Sequence, residues 1–440
     1  MTLDGPPLTP AAVDATGVGA EPVAIAPAAR SKERRIPTGW RQVALVGSLS
    51  IFGPLCLDIY VPALPSISRN LHASASAVQL TFTSCIIGIA VGQLVLGPVS
   101  DRVGRRLPLL GGLAAFVLSS VACAFAPNVY FLALFRMVQG LGGAAGMGMS
   151  RSIARDLHSG LALVKFFSAL TVVTGLGPLI APQIGSAILT FTSWRGIFIG
   201  LAILGAVLLW SAWLRVPETL PEQYRSHGSV WSTPGSFVRI GRDRVFLSLA
   251  LTYGFGMAGV FVYAAGSSFV LQNVYGLSPQ VYAAVFAAGG CGWILGAQVN
   301  GHLVGRFRAG ALLTAGCVIM IGSAGVLLAI VATGFGGLTG YIASMLCFLF
   351  GSGFLGPNAM ALALQRYPDA AGTAAALIGA IQFGLGGLAA PLAGIGGEAD
   401  AYPMVFLMIA MPSVALLMRL LATRGPAAPT VAAAPRDAAV

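Results

Sequence analysis

Apolar stretches of about twenty residues recur from residue 42 to residue 422, separated by short polar or basic segments. A membrane-crossing helix needs about 20 mainly apolar residues. The pattern therefore predicts twelve spans: 42–64, 77–99, 107–126, 129–150, 163–189, 195–214, 245–268, 279–302, 309–332, 338–360, 371–394 and 403–422. The run at 338–360 blends into its neighbours because "GFGGLTGY" (334–341) carries no charge. The longest polar connection, 215–244, contains "VPETLPEQYRSHGSVWSTPG" and divides six spans from six. The expected organisation is a disordered tail over 1–38, a six-helix bundle over 39–214, a cytoplasmic linker over 215–244, a second bundle over 245–422 and a disordered tail over 423–440. The first tail, rich in Ala and Pro, lacks the apolar core of a signal peptide.

Composition supports a polytopic helical membrane protein. The chain is 56% hydrophobic and 9% charged, against about 25% charged for an ordinary soluble domain. A net charge of +11 in a soluble protein would suggest nucleic acid. Here the basic residues collect on one side of the predicted spans. Of the 25 Lys and Arg, only Arg69 and Arg195 fall in loops on the other side, and Arg136 falls within a span. That asymmetry puts both termini in the cytoplasm and makes the bilayer, not nucleic acid, the expected partner. The six cysteines (Cys56, Cys85, Cys123, Cys291, Cys317, Cys347) fall in separate apolar runs and read as small buried hydrophobes. The four histidines (His72, His158, His227, His302) sit at loops or helix ends. No metal site or cofactor is expected.

The two halves carry a trace of repetition. "GPVSDRVGRR" (97–106) follows the second span, and "QVNGHLVGRF" (298–307) follows the eighth. Aligning Gly104-Arg105 with Gly305-Arg306 places His302 where Asp101 stands, so the second copy is eroded. Six plus six spans about a central linker is the organisation of duplicated transporter folds.

Among 14 acidic residues, Asp58 alone lies inside a predicted span, and Arg136 is the only base well inside one. A charge at membrane depth costs at least ~2.5 kcal/mol and usually marks a relay or substrate path. The plainer reading of Asp58, about sixteen residues into its span, is a solvated position near the outer end or a cap on backbone freed by Pro62. The plainer reading of Arg136 is a donor that ties helices together. Pro54 and Pro62 each remove a helix hydrogen bond, and such breaks are tolerated where backbone lines a cavity. A bent first helix carrying an acid suits a pathway wall.

These residues resemble the major facilitator superfamily, and within it the Bcr/CflA type of drug-resistance antiporter, over about residues 40–422. "GPVSDRVGRR" is similar to the family's loop motif: Gly97 and Gly104 allow a tight turn, Asp101 can pair with Arg105, and Arg102 and Arg106 complete the motif. The resemblance implies a gate there that reaches the second half in the outward-facing state. "RMVQGLGGAAG" (136–146) resembles the motif in which a buried arginine, Arg136, assists proton transfer. "GLGPLIAPQIG" (175–185) resembles the antiporter motif, with Gly175, Gly177, Pro178, Pro182 and Gly185; it departs from the pattern at Ala181-Pro182, where paired glycines are usual. "LCLDIYVPALP" (55–65) resembles the branch's first helix. "RSIARDL" (151–157), "SWRGIF" (193–198) and "GSSFVLQNVYGLSP" (266–279) add support.

The expected fold is all-α, the major facilitator fold, with 12 transmembrane helices in two six-helix bundles. The expected function is proton-coupled efflux of hydrophobic, neutral or singly cationic drugs across the bacterial inner membrane by a monomer, with the proton as coupling ion. Asp58 would alternate between protonated and ionised forms while Arg136 tunes it. Tyr60, Gln139, Tyr263, Phe354 and Asn358 are the candidate cavity residues. The alternatives are export of a specific metabolite, such as an amino acid or siderophore, and a membrane sensor without transport. No nucleophile triad, metal cluster or P-loop is present, so an enzyme is not expected.

Overall fold

Lipid offers backbone groups no hydrogen-bond partners, so each apolar run must satisfy its own as a helix. The computed structural model describes residues 40–157, 166, 175–225, 238–367 and 371–422. Both predicted tails, together with His158, Lys165, His227 and Asp369, lie outside the described residues.

In the first half the helices are α1 (Trp40–Asp58), α2 (Leu64–Leu71), α3 (Ala75–Val103), α4 (Arg106–Ala124), α5 (Val129–Leu157), α6 (Gly177–Phe191) and α7 (Trp194–Arg215). The second half has α8 (Arg244–Phe269), α9 (Pro279–Leu303), α10 (Ala309–Thr333), α11 (Gly337–Ser352), α12 (Leu355–Leu364), α13 (Ala371–Ala389) and α14 (Tyr402–Ala422). Among the described residues, ten helical segments are long and apolar enough to cross a membrane. α1 and the shorter α6 stand where the remaining two spans are expected. No β-strand occurs among the described residues.

Three predicted spans differ from straight rods. Span one breaks: α1 ends at Asp58, a 3-10 turn runs over Val61–Ala63, and α2 continues from Leu64. Pro62 and Pro65 lack the N–H groups that would pair with the carbonyls of Asp58 and Val61. Span ten breaks between α11 and α12, and α8 runs into a π-turn over Val270–Val274.

In the first half α5 packs against α1, α3 and α4; in the second α8 packs against α13 and α14, and α10 against α11 and α14. The halves meet where α3 lies along α13 and α6 along α9. Two details repeat. α3 and α9 both start on a serine cap, Ser74 and Ser278, with ψ of 158° and 156°. Each is followed by a glycine with positive φ, Gly104 at 96° and Gly305 at 94°. Four cysteines are buried as expected, but Cys291 and Cys347 are exposed on the outside of the helices; their apolar surroundings in the sequence reflect a lipid-facing side rather than a core.

Candidate functional site

A cavity of about 180 Å³ lies between the two halves. Ile89, Met147 and Pro178 line it from the first half, and Met257, Phe261, Phe286, Trp293, Leu349 and Phe383 from the second. Asp58, Tyr263 and Gln382 add polar groups to this mostly apolar wall. An apolar cleft with few convergent polar groups is the usual form of a small-molecule site.

Asp58 is the last residue of α1 and partly exposed to the cavity. Among the described residues its carboxyl group has no hydrogen-bond or ion-pair partner. The break after α1 therefore delivers an unpaired acid to a largely apolar chamber.

Of the five residues expected to line the cavity, only Tyr263 does. Tyr60, Gln139, Phe354 and Asn358 do not line it. Tyr60 is fully buried, its hydroxyl 3.2 Å from Thr81 Oγ1 and its ring 4.1 Å beneath the Arg136 guanidinium. Gln139 is fully buried, accepting from Arg136 Nη1 at 2.6 Å and donating to Ser120 Oγ at 2.6 Å. Asn358 donates to Asn300 Oδ1 at 2.6 Å and to the Phe354 carbonyl at 2.8 Å, and Phe354 packs on Phe350. Each polar group found a partner inside its own half, which removes it from the cavity wall.

Arg136 is fully buried and donates to the Cys56 carbonyl at 3.0 Å. Its Nε and Nη2 have no hydrogen-bond partner among the described residues. It makes no ion pair with Asp58, although it bonds the backbone two residues away. Its visible work is to clamp α5 onto α1 through Cys56 and Tyr60.

The 97–106 loop forms a dense network. Arg105 Nη1 donates to Asp101 Oδ1 at 2.5 Å and to Ser100 Oγ at 2.6 Å, and Nε donates to Asp156 Oδ2 at 3.2 Å. Thr219 Oγ1 donates to the same Asp156 oxygen at 2.9 Å. Glu218 Oε1 and Oε2 accept from the Arg105 and Arg106 N–H groups, at 2.8 and 3.3 Å, at the start of α4. A carboxylate there meets the positive end of the helix dipole. Gly104 has φ 96°, and an added Cβ would run into the Glu218 carboxylate. Burial alone would raise Glu218; hydrogen bonds from the Leu220, Arg105 and Arg106 N–H groups outweigh it and hold the carboxyl below its usual range. Arg106 Nη2 donates to the Trp213 carbonyl at 2.7 Å, while Arg102 makes no ion pair among the described residues. A Cβ at Gly97 would meet nothing within 4 Å, so crowding does not require that glycine.

Glu218 and Asp156 were not among the expected site residues. Glu218 sits in a stretch that reads as linker; its signal was the acid directly after Pro217. Every partner of this network belongs to the first half or the start of the linker. The second half has its own fastening at the same end: Asp243 caps α8 and accepts from Arg366 Nε at 2.7 Å and Tyr367 Oη at 3.0 Å.

In the antiporter-like stretch, Pro178 lines the cavity and Pro182 lies buried within α6. Gly185 is required by close approach, since a Cβ would strike the Ile59 carbonyl oxygen just past the end of α1. Gly177 is buried, whereas a Cβ at Gly175 would meet nothing within 4 Å.

At the end of the bundle opposite the 97–106 loop, hydrogen bonds cross between the halves. Ser268 Oγ donates to the Val61 carbonyl at 2.7 Å and Gln272 Nε2 to the Pro62 carbonyl at 3.0 Å. Gln79 Nε2 donates to the Ala265 carbonyl at 3.3 Å, and Gln280 Nε2 to the Ser186 carbonyl at 3.4 Å.

Two helical halves with a shared cavity describe a transporter architecture, and the family profile of the Major Facilitator Superfamily matches residues 46–391. The chain belongs to the major facilitator superfamily. This superfamily member is 39% identical over 377 residues to the uncharacterized MFS-type transporter YdgK of Bacillus subtilis (strain 168), covering 84% of this chain and 93% of YdgK. It is 30% identical over 332 residues to Multidrug resistance protein D of Escherichia coli (strain K12), covering 75% of this chain and 82% of the relative. The crystal structure of the nucleoside transporter NupG superposes with a TM-score of 0.70 at 14% identity, covering 87% and 98% of the two chains; this likeness shows the fold alone. The Bcr/CflA-type resemblance of the motifs agrees with these relatives. The protein is a multi-pass membrane transporter and not an enzyme.

Proposed function

We propose that this superfamily member is a proton-coupled antiporter that exports hydrophobic, neutral or singly cationic small molecules from the cytoplasm across the bacterial inner membrane. The observation that carries the reading is Asp58: an unpaired carboxyl group in the wall of an apolar, aromatic cavity between the halves. A carboxyl group in such a wall is stabilised by a proton or by a substrate donor or cation, and one occupant displaces the other. That exclusion couples the two flows. Phe261, Phe286, Trp293 and Phe383 supply the apolar surface such substrates need. The multidrug resistance name of one relative supports the substrate class.

The one-sided distribution of Lys and Arg orients the 97–106 loop and both termini toward the cytoplasm. The hydrogen bonds of Ser268, Gln272, Gln79 and Gln280 then lie on the outer side and shut the bundle toward the outside. Export requires that this outer seam and the cytoplasmic gate open in turn.

The test has two arms. An efflux-deficient host expressing the chain is profiled against unrelated compound classes, and everted vesicles are assayed for drug-driven proton release. Resistance to several hydrophobic classes, with proton release lost in Asp58→Asn, is expected. Full coupling in Asp58→Asn overturns the role of Asp58, and a host unchanged toward every class overturns the drug reading.

A further inference from the structure

Met147 of α5 and Met257 of α8 line the cavity from opposite halves. One helical turn from each, toward the end that holds the 97–106 loop, stand Arg151 and Tyr253. Residues four apart share a helix face, so Arg151 and Tyr253 edge the mouth of the same cavity. The two are close enough to act on each other electrostatically. One turn further along α5, Arg155 also meets the second half: a Cβ at Gly372, at the start of α13, would lie 3.3 Å from its Nη1.

Arg151 is exposed and makes no hydrogen bond or ion pair among the described residues. The Tyr253 hydroxyl opposite it has no hydrogen-bond partner there either. The nearest acid along α5, Asp156, is engaged by Arg105 and Thr219. Arg155, with Nη2 3.5 Å from Ser152 Oγ, adds a second positive charge. The mouth therefore offers free donors and positive charge with no acid beside them. An exposed cation in open water adds little to binding. A cleft of one charge sign with low-dielectric walls focuses the field into its mouth, and the apolar cavity supplies such walls.

Contacts between α1 and α5 set the distance from Arg151 to Asp58. A Cβ at Gly146 would strike the Leu49 carbonyl oxygen, one at Gly53 would strike Met147 Sδ, and one at Gly143 would lie 3.7 Å from Cys56 Sγ. The helices thus run antiparallel, with Gly53 level with Met147. Asp58 is five residues past Gly53, and Arg151 is four residues past Met147 in the opposite direction. At 1.5 Å of rise per residue, the two stand about 13 Å apart along the helix axis. Helix side chains lean toward the N-terminus, so Arg151 leans back toward Met147 and shortens that span. The cavity is bipolar: an acid deep in its wall and a cation at its mouth, one drug-sized molecule apart.

We propose that Arg151 is an anion-recognising specificity residue, so that the cavity takes zwitterionic amphiphiles with the amine toward Asp58 and the carboxylate toward Arg151 and the Tyr253 hydroxyl. The inference rests on the reading of Asp58 as the group that meets a substrate cation. It extends the substrate class to molecules whose amine and acid stand at opposite ends of a rigid apolar body. Such a molecule satisfies both ends of the cavity at once, whereas a simple cation leaves the donors at the mouth unused.

The experiment titrates the purified full chain in detergent with ciprofloxacin, a rigid zwitterion with its amine and acid at opposite ends, and with its methyl ester, which keeps the amine and lacks the acid. The wild-type protein should bind the free acid about tenfold more tightly than the ester, the scale of one charge-assisted hydrogen bond. Arg151→Gln should bring the affinity for the acid down to that for the ester. Because Arg151 has no internal partner, this substitution breaks no contact of the fold. Asp58→Asn should weaken both forms, since each carries the amine. The proposal is overturned if the wild-type protein binds neither form or shows no preference for the acid, if Arg151→Gln keeps the preference, or if Asp58→Asn spares both forms. Failure of this titration is separate from failure of the efflux reading, which resistance to compounds without an acid group judges.

Discussion

Gly104 and Gly305 share a positive φ, 96° and 94°, at matching ends of α3 and α9. The turn has outlasted the side chains around it. At Gly104 it carries Asp101, Arg105 and Glu218 in one network. At Gly305 the neighbouring His302 only reaches back to the Gln298 carbonyl, 2.9 Å away in its own helix. The two glycines therefore separate backbone cost from gate function. Either Ala substitution forces a side chain into a region that costs about 1–3 kcal/mol. Only Gly104→Ala also strikes Glu218, because a Cβ at Gly305 meets nothing within 4 Å. Both variants should lose thermal stability in detergent, and Gly104→Ala should lose transport rate as well. Equal transport rates in the two would contradict the assignment.

The acids around Arg105 differ in exposure. The Asp101 side chain is 54% exposed and that of Asp156 17%. An exposed pair contributes about 0–1 kcal/mol, whereas loss of a shielded partner leaves the buried Arg105 guanidinium poorly compensated. Asp156→Ala should slow turnover more than Asp101→Ala, with substrate affinity close to wild type in both. Initial rates and binding titrations check this ordering; the reverse order would place the main latch at Asp101.

Glu218 gives a pH dependence of known sign. Its carboxyl is held below the ordinary value in the folded protein. The stabilisation is therefore complete above the ordinary carboxylate range, about pH 4, and is lost as pH falls through the lower folded value. Proteolysis at the 216–225 segment should be constant from pH 5 to 8 and should accelerate only below about pH 4. In Glu218→Gln the cleavage rate should be higher at neutral pH and should change less on acidification.

Arg136 donates from Nη1 to both the Cys56 carbonyl and Gln139 Oε1, at the reach its long planar side chain sets, and lays its flat face over Tyr60. Lysine keeps the charge and loses both geometries. Arg136→Lys should lower stability by about 1–3 kcal/mol, read as an earlier thermal transition in detergent. An unchanged transition would mean that the clamp between α5 and α1 lies elsewhere.

Much of the architecture was legible because apolar length is a direct physical requirement of the bilayer. The runs at 77–99 and 279–302 needed no other information to become α3 and α9. Asp58 was legible for the same reason: a lone acid in such a run is rare, and the structure places it in the cavity wall. The remaining lining was less readable. Tyr60, Gln139 and Asn358 are polar groups in apolar spans, and sequence cannot tell a group that meets a partner in its own half from one that faces a chamber. Trp293 and Phe383 are the converse, large apolar residues that look like packing until two halves are assembled. Glu218 was hidden by its setting, since a polar, proline-containing connection resembles free linker until Pro217 and Glu218 are docked on α4.

The break after α1 has one more effect. Pro65 cannot supply an N–H to the Val61 carbonyl, and that oxygen accepts from Ser268 of the opposite half. The adjoining Pro62 carbonyl accepts from Gln272 in the same way. On the first-half side, these bonds are made by main-chain atoms. Replacing the side chain at 61 leaves its acceptor in place, while straightening the chain at 62 or 65 would withdraw it. Val61 and Pro62 are themselves buried, so this rim meets the opposite half through main-chain oxygens whose direction follows from the chain path that the two imino acids set.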